Sequence, residues 1–171
     1  MTHNRYIAFD VETTGLFPQR GARIIEIGAV AIADRIITEE FHSLVRSDRP
    51  IPTQARHIHG ITNAMLAGQP TPEEAMSEFR KFIGDDPLIA HNAPFDMAFV
   101  RRELQRQGLP FNNPSLCTLE MSQQRLPHLP NHKLRTVYTH LFGAVPPDSQ
   151  PHRALGDARM VAMIWLAMEG K

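Results

Sequence analysis

Apolar and small or acidic positions alternate along Ile7-Ala8-Phe9-Asp10-Val11-Glu12, and the run closes on Thr13-Thr14-Gly15-Leu16. That pattern predicts a strand leading into a turn. Side chains two apart on a strand share a face, so Asp10 and Glu12 project together beside Ala8. Ile7, Phe9 and Val11 face the other way and hold the strand against a core. Phe17 to Gly21 reads as a loop, and Arg23 to Ala33 is a β-branched, apolar run interrupted only by Glu26 and Gly28, which predicts a second strand. A third is expected from Arg35 to about Val45, and the short Ala33-Asp34-Arg35 link predicts an antiparallel hairpin. Glu26, between Ile25 and Ile27, either faces solvent or supports the first-strand carboxylates from the neighbouring strand.

Helical spacing takes over further along. Thr71-Pro72-Glu73-Glu74 has the features of a helix start, with Thr71 as N-cap, proline at the first helical position and Glu74 completing a capping box. Phe79, Phe82 and Ile83 give that helix its buried stripe. Pro87 to Asn92 predicts a short buried strand that delivers Asn92 to a site, and a helix follows from about Pro94 to Gln107, stopped by Gly108. Ser115 to Thr118 predicts one more short strand, and Lys133 to Phe142 another helix. The last element begins at Pro151-His152-Arg153 and continues to about Met168, with Ala154, Ala158, Val161, Ala162 and Trp165 on one face. His152 and Asp157 are five positions apart, so they meet at one site only if His152 lies on the loop before the helix.

Length and charge narrow the function classes. A chain of 171 residues is the size of one ordinary domain and buries a core without staples, and no repeat or linker divides it, so residues 1–171 are expected to form a single domain. Eighteen basic and 18 acidic residues cancel, which excludes a strongly basic nucleic-acid binder of the kind held by net charge alone. One cysteine, Cys117, excludes an intramolecular disulfide and a multi-cysteine zinc site, and it favours a reducing compartment, with cytoplasm as the default. No apolar run is long enough to span a membrane, and the polar residues 1–5 are not followed by a signal-peptide core. His57 and His59 alone are a weak zinc signal.

Two carboxylates aimed at one place, Asp10 and Glu12, repel unless a shared proton or a cation compensates them. Asp96, in the first turn of the Pro94 helix, by itself only complements the helix dipole, and a histidine on a loop before a helix ordinarily does nothing chemical. Taken with Asp10 and Glu12, however, Asp96, His152 and Asp157 form a set of four carboxylates and one titratable base. Oxygen-rich sets of that kind hold Mg²⁺ or Mn²⁺, and a pair of such ions stabilises the attacking and leaving oxygens of a phosphoryl displacement.

The segments Asp10-Val11-Glu12-Thr13-Thr14-Gly15, His91-Asn92-Ala93-Pro94-Phe95-Asp96 and His152-Arg153-Ala154-Leu155-Gly156-Asp157 resemble the three exonuclease motifs of the DEDDh 3′-5′ exonucleases. His59-Gly60-Ile61-Thr62 and Ile24-Ile25-Glu26-Ile27-Gly28 are similar to that family too, in particular to its polymerase-proofreading members. The resemblance spans about residues 5 to 168. It implies an RNase H-like α/β fold, a mixed five-stranded central sheet flanked by helices, and a single exonuclease domain. It also implies two divalent cations, Mg²⁺ or Mn²⁺, held by Asp10, Glu12, Asp96 and Asp157. In that scheme Asp10 bridges both ions, Glu12 and Asp157 serve mainly the ion that holds the attacking water, and His152 is the general base. The implied product is a nucleoside 5′-monophosphate.

By the same resemblance Thr13, Gly15 and Leu16 grip the terminal nucleotide, with Leu16 wedged against the end base, while His59 reaches the sugar and Asn92 and Phe95 line the pocket; core packing is an equal reading of Phe95. The implied partners are nucleic-acid 3′ ends, with single-stranded or frayed DNA favoured over RNA, and a DNA polymerase subunit. No membrane contact is expected. RNA as the substrate, or a nuclease-like module kept only for binding a polymerase, are the rival readings, and all five catalytic positions being filled argues against the second. Cys117-Thr118-Leu119 stands where many relatives carry Asp-Thr-Leu, which leaves the ligand set intact. The chain ends 14 residues past Asp157, where proofreading subunits usually continue into a polymerase tether, so a stand-alone enzyme or a catalytic domain of a longer protein is expected.

Overall fold

The computed structural model describes residues 5–147 and 149–169; the polar residues 1–4 and the two C-terminal ones lie outside them. Five strands form one sheet: β1 (Arg5–Thr13), β2 (Ile24–Ala33), β3 (Ile36–Leu44), β4 (Leu88–Ala90) and β5 (Ser115–Cys117), in the order β3-β2-β1-β4-β5. The first three are antiparallel, and β4 and β5 run parallel to β1. This is the mixed five-stranded sheet expected. The β2–β3 hairpin turns on Asp34 and Arg35, both with positive φ (49° and 66°), which gives the backbone twist a two-residue antiparallel connection needs.

Helices cover both faces of the sheet, and they are α1 (Thr53–His59), α2 (Asn63–Leu66), α3 (Pro72–Ile83), α4 (Ala93–Arg106), α5 (Thr118–Arg125), α6 (Leu134–Phe142) and α7 (Ala154–Glu169). The alternation in β1 is realised as two cores. Ile7, Phe9 and Val11 pack with Met76, Phe79, Phe99 and Leu104 of α3 and α4, while Ala8 joins Val30, Ile32 and Ile89 against Val161, Ala162 and Trp165 of α7. The remaining apolar side of α7, through Met160, Ile164 and Met168, packs on Val137 and Tyr138 of α6. A helix covered on two sides explains why α7 is apolar nearly all round. The capping box of α3 forms as expected: the Thr71 hydroxyl accepts from Glu74 N at 3.2 Å, and the Glu74 carboxylate accepts from Thr71 N at 2.8 Å.

The short helices α1, α2 and α5 were not predicted. Their apolar stripes are only one or two turns long, too brief for helical periodicity to separate them from loop. Residues 151–153 form a turn, so α7 starts three residues later than the Pro151 start expected, and His152 stands on that turn with φ 54°. Among the described residues no helix is long and apolar enough to cross a membrane.

Candidate active site

β1 and β2 pair so that Asp10 lies opposite Gly28 and Glu12 opposite Glu26. Opposed residues share a face of the sheet, and here it is the face covered by α7. Gly28 makes that cover close: an ideal Cβ on it would lie 2.2 Å from Leu155 N and 2.4 Å from Ala154 C, so the first turn of α7 rests directly on β2. Glu26, 1% exposed, secures the same turn. Its carboxylate accepts from the Arg153 guanidinium at 2.8 and 3.1 Å, from Ala154 N at 3.2 Å, and hydrogen-bonds His42 Nε2 at 2.8 Å. Burial alone would raise the Glu26 pKa, but the His42, Arg153 and Ala154 hydrogen bonds outweigh it and hold the carboxyl at about 2. Neither of the two readings of Glu26 describes it fully: it is buried instead of facing solvent, and it anchors the first turn of α7 while its charge repels Asp10 and Glu12.

This docking carries Asp157, in the first turn of α7, to the acidic strand. Glu12, His152 and Asp157 each bring one potential ligand atom within 4.8 Å of the others. Asp157 Oδ1 is buried with no hydrogen-bond partner among the described residues. The turn that carries His152 folds back so that its backbone N–H hydrogen-bonds the Asp157 carboxyl. Asp96 arrives from the opposite side of the sheet end. It lies in the first turn of α4 and is buried, and its Oδ1 accepts from Val11 N at 3.3 Å. Its seat against β1 goes beyond a solvated complement to the helix dipole.

One cleft of about 350 Å³ is lined by Asp10, Glu12, Asp96, His152 and Asp157 together, along with Thr13, Gly15, Leu16, His59 and Phe95. Ten of the eleven predicted site residues therefore meet. The exception is Asn92, which is exposed and does not line the cleft; it takes φ 77° at the β4–α4 junction, where the chain reverses into the helix. The Thr13-Thr14-Gly15 turn is tied by the Thr13 hydroxyl donating to Gly15 O at 2.7 Å and by Arg23 N donating to the Thr14 hydroxyl at 3.0 Å. That leaves Leu16 66% exposed. His59 ends α1, buried, with Nδ1 accepting from Ile61 N at 3.0 Å. Phe95 is half-buried against Phe99, ring centroids 5.0 Å apart, and also lines the cleft, so one ring both packs on α4 and faces the cleft.

Burial and mutual repulsion set the electrostatics. Burial, and then the Asp96, Glu12 and Asp157 carboxylates, push Asp10 well above the usual carboxylate range. Burial first, then Asp157, Glu26 and Asp96, raise Glu12 to about 8. Burial raises Asp96 to about 8 against the pull of backbone donors, and Asp157 to about 6 against Arg135. Partial desolvation and the Arg135 charge lower His152, which favours the neutral ring that can take a proton. Buried carboxylates that cannot ionise together and an orphaned carboxylate oxygen are the oxygen-donor chemistry a hard divalent cation takes, and the residues fit one.

Sequence reasoning missed three parts of the site. Gly28 stands in sequence as an interruption of an apolar strand and the end of a family-like segment, with no packing role, although a glycine inside a strand is itself a signal of close backbone approach. Arg153 lies inside the third motif, and nothing local to it marks it as the partner of Glu26. His91 lines the cleft, with Nδ1 2.9 Å from the Thr118 hydroxyl and Nε2 2.7 Å from His132 O; Thr118, next to the divergent Cys117, thus braces the wall of the cleft.

The exonuclease family model matches residues 7–165. A DNA polymerase III subunit epsilon-like protein of Rhodobacter capsulatus is 41% identical over 165 residues, which are 95% of this chain and 23% of that protein. The chain therefore spans about a quarter of that relative. A DNA polymerase III subunit epsilon of Aquifex aeolicus is 38% identical over 162 residues, covering 94% of this chain and 78% of that one. Among solved structures, exonuclease X in complex with 5′ overhanging duplex DNA is similar with a TM-score of 0.76 at 32% identity, over 97% of this chain and 90% of that chain.

Proposed function

This chain belongs to the exonuclease family and has its RNase H-like fold, and we propose that it removes nucleotides from the 3′ ends of DNA, releasing nucleoside 5′-monophosphates. The observation that carries the reading is the meeting of Glu12, His152 and Asp157 within 4.8 Å in a cleft that Asp10 and Asp96 also line. Asp10, Glu12, Asp96 and Asp157 are the residues that would hold two divalent cations, Mg²⁺ or Mn²⁺. Such ions, when bound, neutralise the carboxylates and stabilise charge on the attacking and leaving oxygens of an in-line phosphoryl displacement.

The chain's own residues supply the rest. The neutral His152 imidazole accepts a proton from the attacking water, as its lowered pKa allows at cellular pH. Thr13, Gly15 and Leu16 grip the terminal nucleotide through the rigid turn after β1, with His59 and Phe95 on the facing walls; Asn92 acts at most from outside the cleft. The apolar part of the lining, Leu16, Ile58 and Phe95, tolerates any base and gives little sequence preference. DNA is favoured over RNA because relatives covering most of their own length are a DNA polymerase III subunit and an exonuclease bound to DNA. Residues 1–171 act in this reading as one exonuclease domain, and contact with a polymerase subunit is part of it, as is action in the cytoplasm.

The test is release of mononucleotides from a 3′-labelled single-stranded DNA, with a matched RNA alongside. Wild type is expected to act with Mn²⁺ and with Mg²⁺, faster on DNA, and Asp10→Ala to be inactive with its fold retained. No degradation by wild type with either metal, or equal activity of the variant, ends the enzyme reading; a wide preference for RNA ends the DNA assignment.

A further inference from the structure

Behind the Thr14-Gly15-Leu16 turn lies a second cleft, of about 500 Å³, that shares that turn and Pro52 with the catalytic cleft. Five arginines line it: Arg20, Arg23, Arg46, Arg49 and Arg106. The chain as a whole is neutral, so a concentration of this kind is local and sits directly beside the candidate active site. Arg23 and Arg106 both hold the buried Glu103, at 2.6 and 3.0 Å, and Arg46 is 3.4 Å from the exposed Asp48. Glu73 also acts on Arg23, so three carboxylates against five guanidinium groups leave the cleft positive by two. Arg20 and Arg49 have no carboxylate partner among the described residues. Arg20 lies over the ring of Phe17, 4.9 Å from its centroid, and Phe17 is 47% exposed on the crest next to Leu16.

We propose that this arginine-lined cleft is a second phosphodiester-binding site, which holds backbone of the nucleic acid whose 3′ end occupies the catalytic cleft, with Leu16 and Phe17 forming the crest between the two. The proposal rests on the exonuclease reading for what fills the first cleft. Its physical basis is separate. Guanidinium groups offer fixed, planar donor forks that match phosphate oxygens, and a wall of them in a concave surface concentrates the field on a polyanion. The exposed Phe17 face adds a surface on which any base can stack. Arg23 and Arg106 are tied into the fold through Glu103, so Arg20 and Arg49 are the free charges that meet phosphate. The backbone held there is either the upstream part of the strand being degraded or the complementary strand of a duplex end, and these differ in the substrate they require.

The experiment uses the full chain with Arg20→Ala/Arg49→Ala, and Arg20→Lys/Arg49→Lys as a charge-retaining control. Binding of a fluorescent 12-nucleotide single strand, and of a duplex end of the same sequence, is measured by anisotropy in metal-free buffer at several salt concentrations, where no turnover occurs. The alanine pair is expected to weaken binding roughly 10-fold. Because each of the two arginines neutralises one phosphate, removing both is also expected to flatten the salt dependence by about 1.4 in log-log slope on the single strand, or about 1.8 on duplex; the lysine pair keeps most of both effects. Weakening on both probes assigns the cleft to the strand being degraded, and weakening on duplex alone assigns it to the complementary strand. Unchanged affinity and slope on both probes overturns the proposal. Hydrolysis of the nitrophenyl ester of thymidine 5′-monophosphate, too small to leave the catalytic cleft, is expected to match wild type; a loss there equal to the loss of binding also overturns it. Failure of wild type to hydrolyse any 3′ end would sink the exonuclease reading instead, and the anisotropy result would still decide the second cleft.

Discussion

Replacing Gly28 by alanine tests whether one strand position sets the geometry of the whole site. The new Cβ would lie 2.2 Å from Leu155 N and 2.4 Å from Ala154 C and Leu155 Cα. All three are backbone atoms that no rotamer change can move aside. Ordinary contact begins near 3.4 Å, so the overlap is about 1.2 Å. β2 is held between β1 and β3 and cannot recede, so the N-terminal turn of α7 must lift. Overpacking of this kind costs roughly 1–3 kcal/mol, and the backbone contact puts Gly28→Ala at the upper end. At roughly 2–4 °C per kcal/mol for a domain this size, Tm is expected to fall by about 6–12 °C. The turn that lifts carries Asp157 and follows His152, and a misplacement of about 1 Å at a reacting site costs on the order of 100-fold. Single-turnover release of mononucleotides at saturating Mn²⁺ should therefore slow about 100-fold at a temperature where circular dichroism shows the protein folded. Gly156, two residues along the same helix, is the control: a Cβ there meets nothing within 4 Å, so Gly156→Ala should stabilise by about 0.5–1 kcal/mol with little change in rate. Near-wild-type turnover by Gly28→Ala would refute the claim that this glycine fixes the approach of α7.

Glu26→Gln removes the charge that holds Arg153 and Ala154; the shift from 4.5 to about 2 in a group only 1% exposed corresponds to roughly 3 kcal/mol. Urea denaturation at pH 7 should show about 2–3 kcal/mol lost, and because a depressed carboxylate stabilises only above its unfolded pKa, the difference from wild type should fade as pH falls from 4.5 toward 2. The site carboxylates have the opposite sign. Their raised pKa values, about 8 for Glu12 and Asp96 and about 6 for Asp157, mean that the native state holds the extra protons, so metal-free Tm should fall as pH rises from about 5 to 8, and saturating Mn²⁺ should erase that fall; a flat metal-free profile would count against the clustering. Calorimetry should correspondingly find Mn²⁺ affinity weakening as pH drops below about 8, with protons released on binding. His152→Ala should lower turnover by roughly 10²–10⁴-fold while Mn²⁺ affinity changes only a few-fold, and equal loss of both would make His152 a ligand instead of a base.

What could be read from sequence and what could not divide along the range of the interactions. The β1 alternation, the Thr71 capping box and the placement of His152 before its helix depend on neighbours within a few positions, and each appears in the structure with bounds shifted by one to three residues. Asp10 and Glu12 share a face for the same local reason. Nothing local states that α7 crosses β2 at Gly28, or that Glu26 reaches a residue 127 positions away, because those facts arise only when two elements pack. Even so, the interruptions of the second strand carried the information. A carboxylate and a glycine two apart in an otherwise apolar, doubly covered strand lie on one face, and one face of a buried strand can accept both only where something charged and something close arrive together. The first turn of α7 supplies both, with the Arg153 guanidinium on Glu26 and the Ala154–Leu155 backbone on Gly28. The acidic strand β1 contributes the fixed carboxylates, and it is the pattern of β2 that determines where the last carboxylate and the histidine join them.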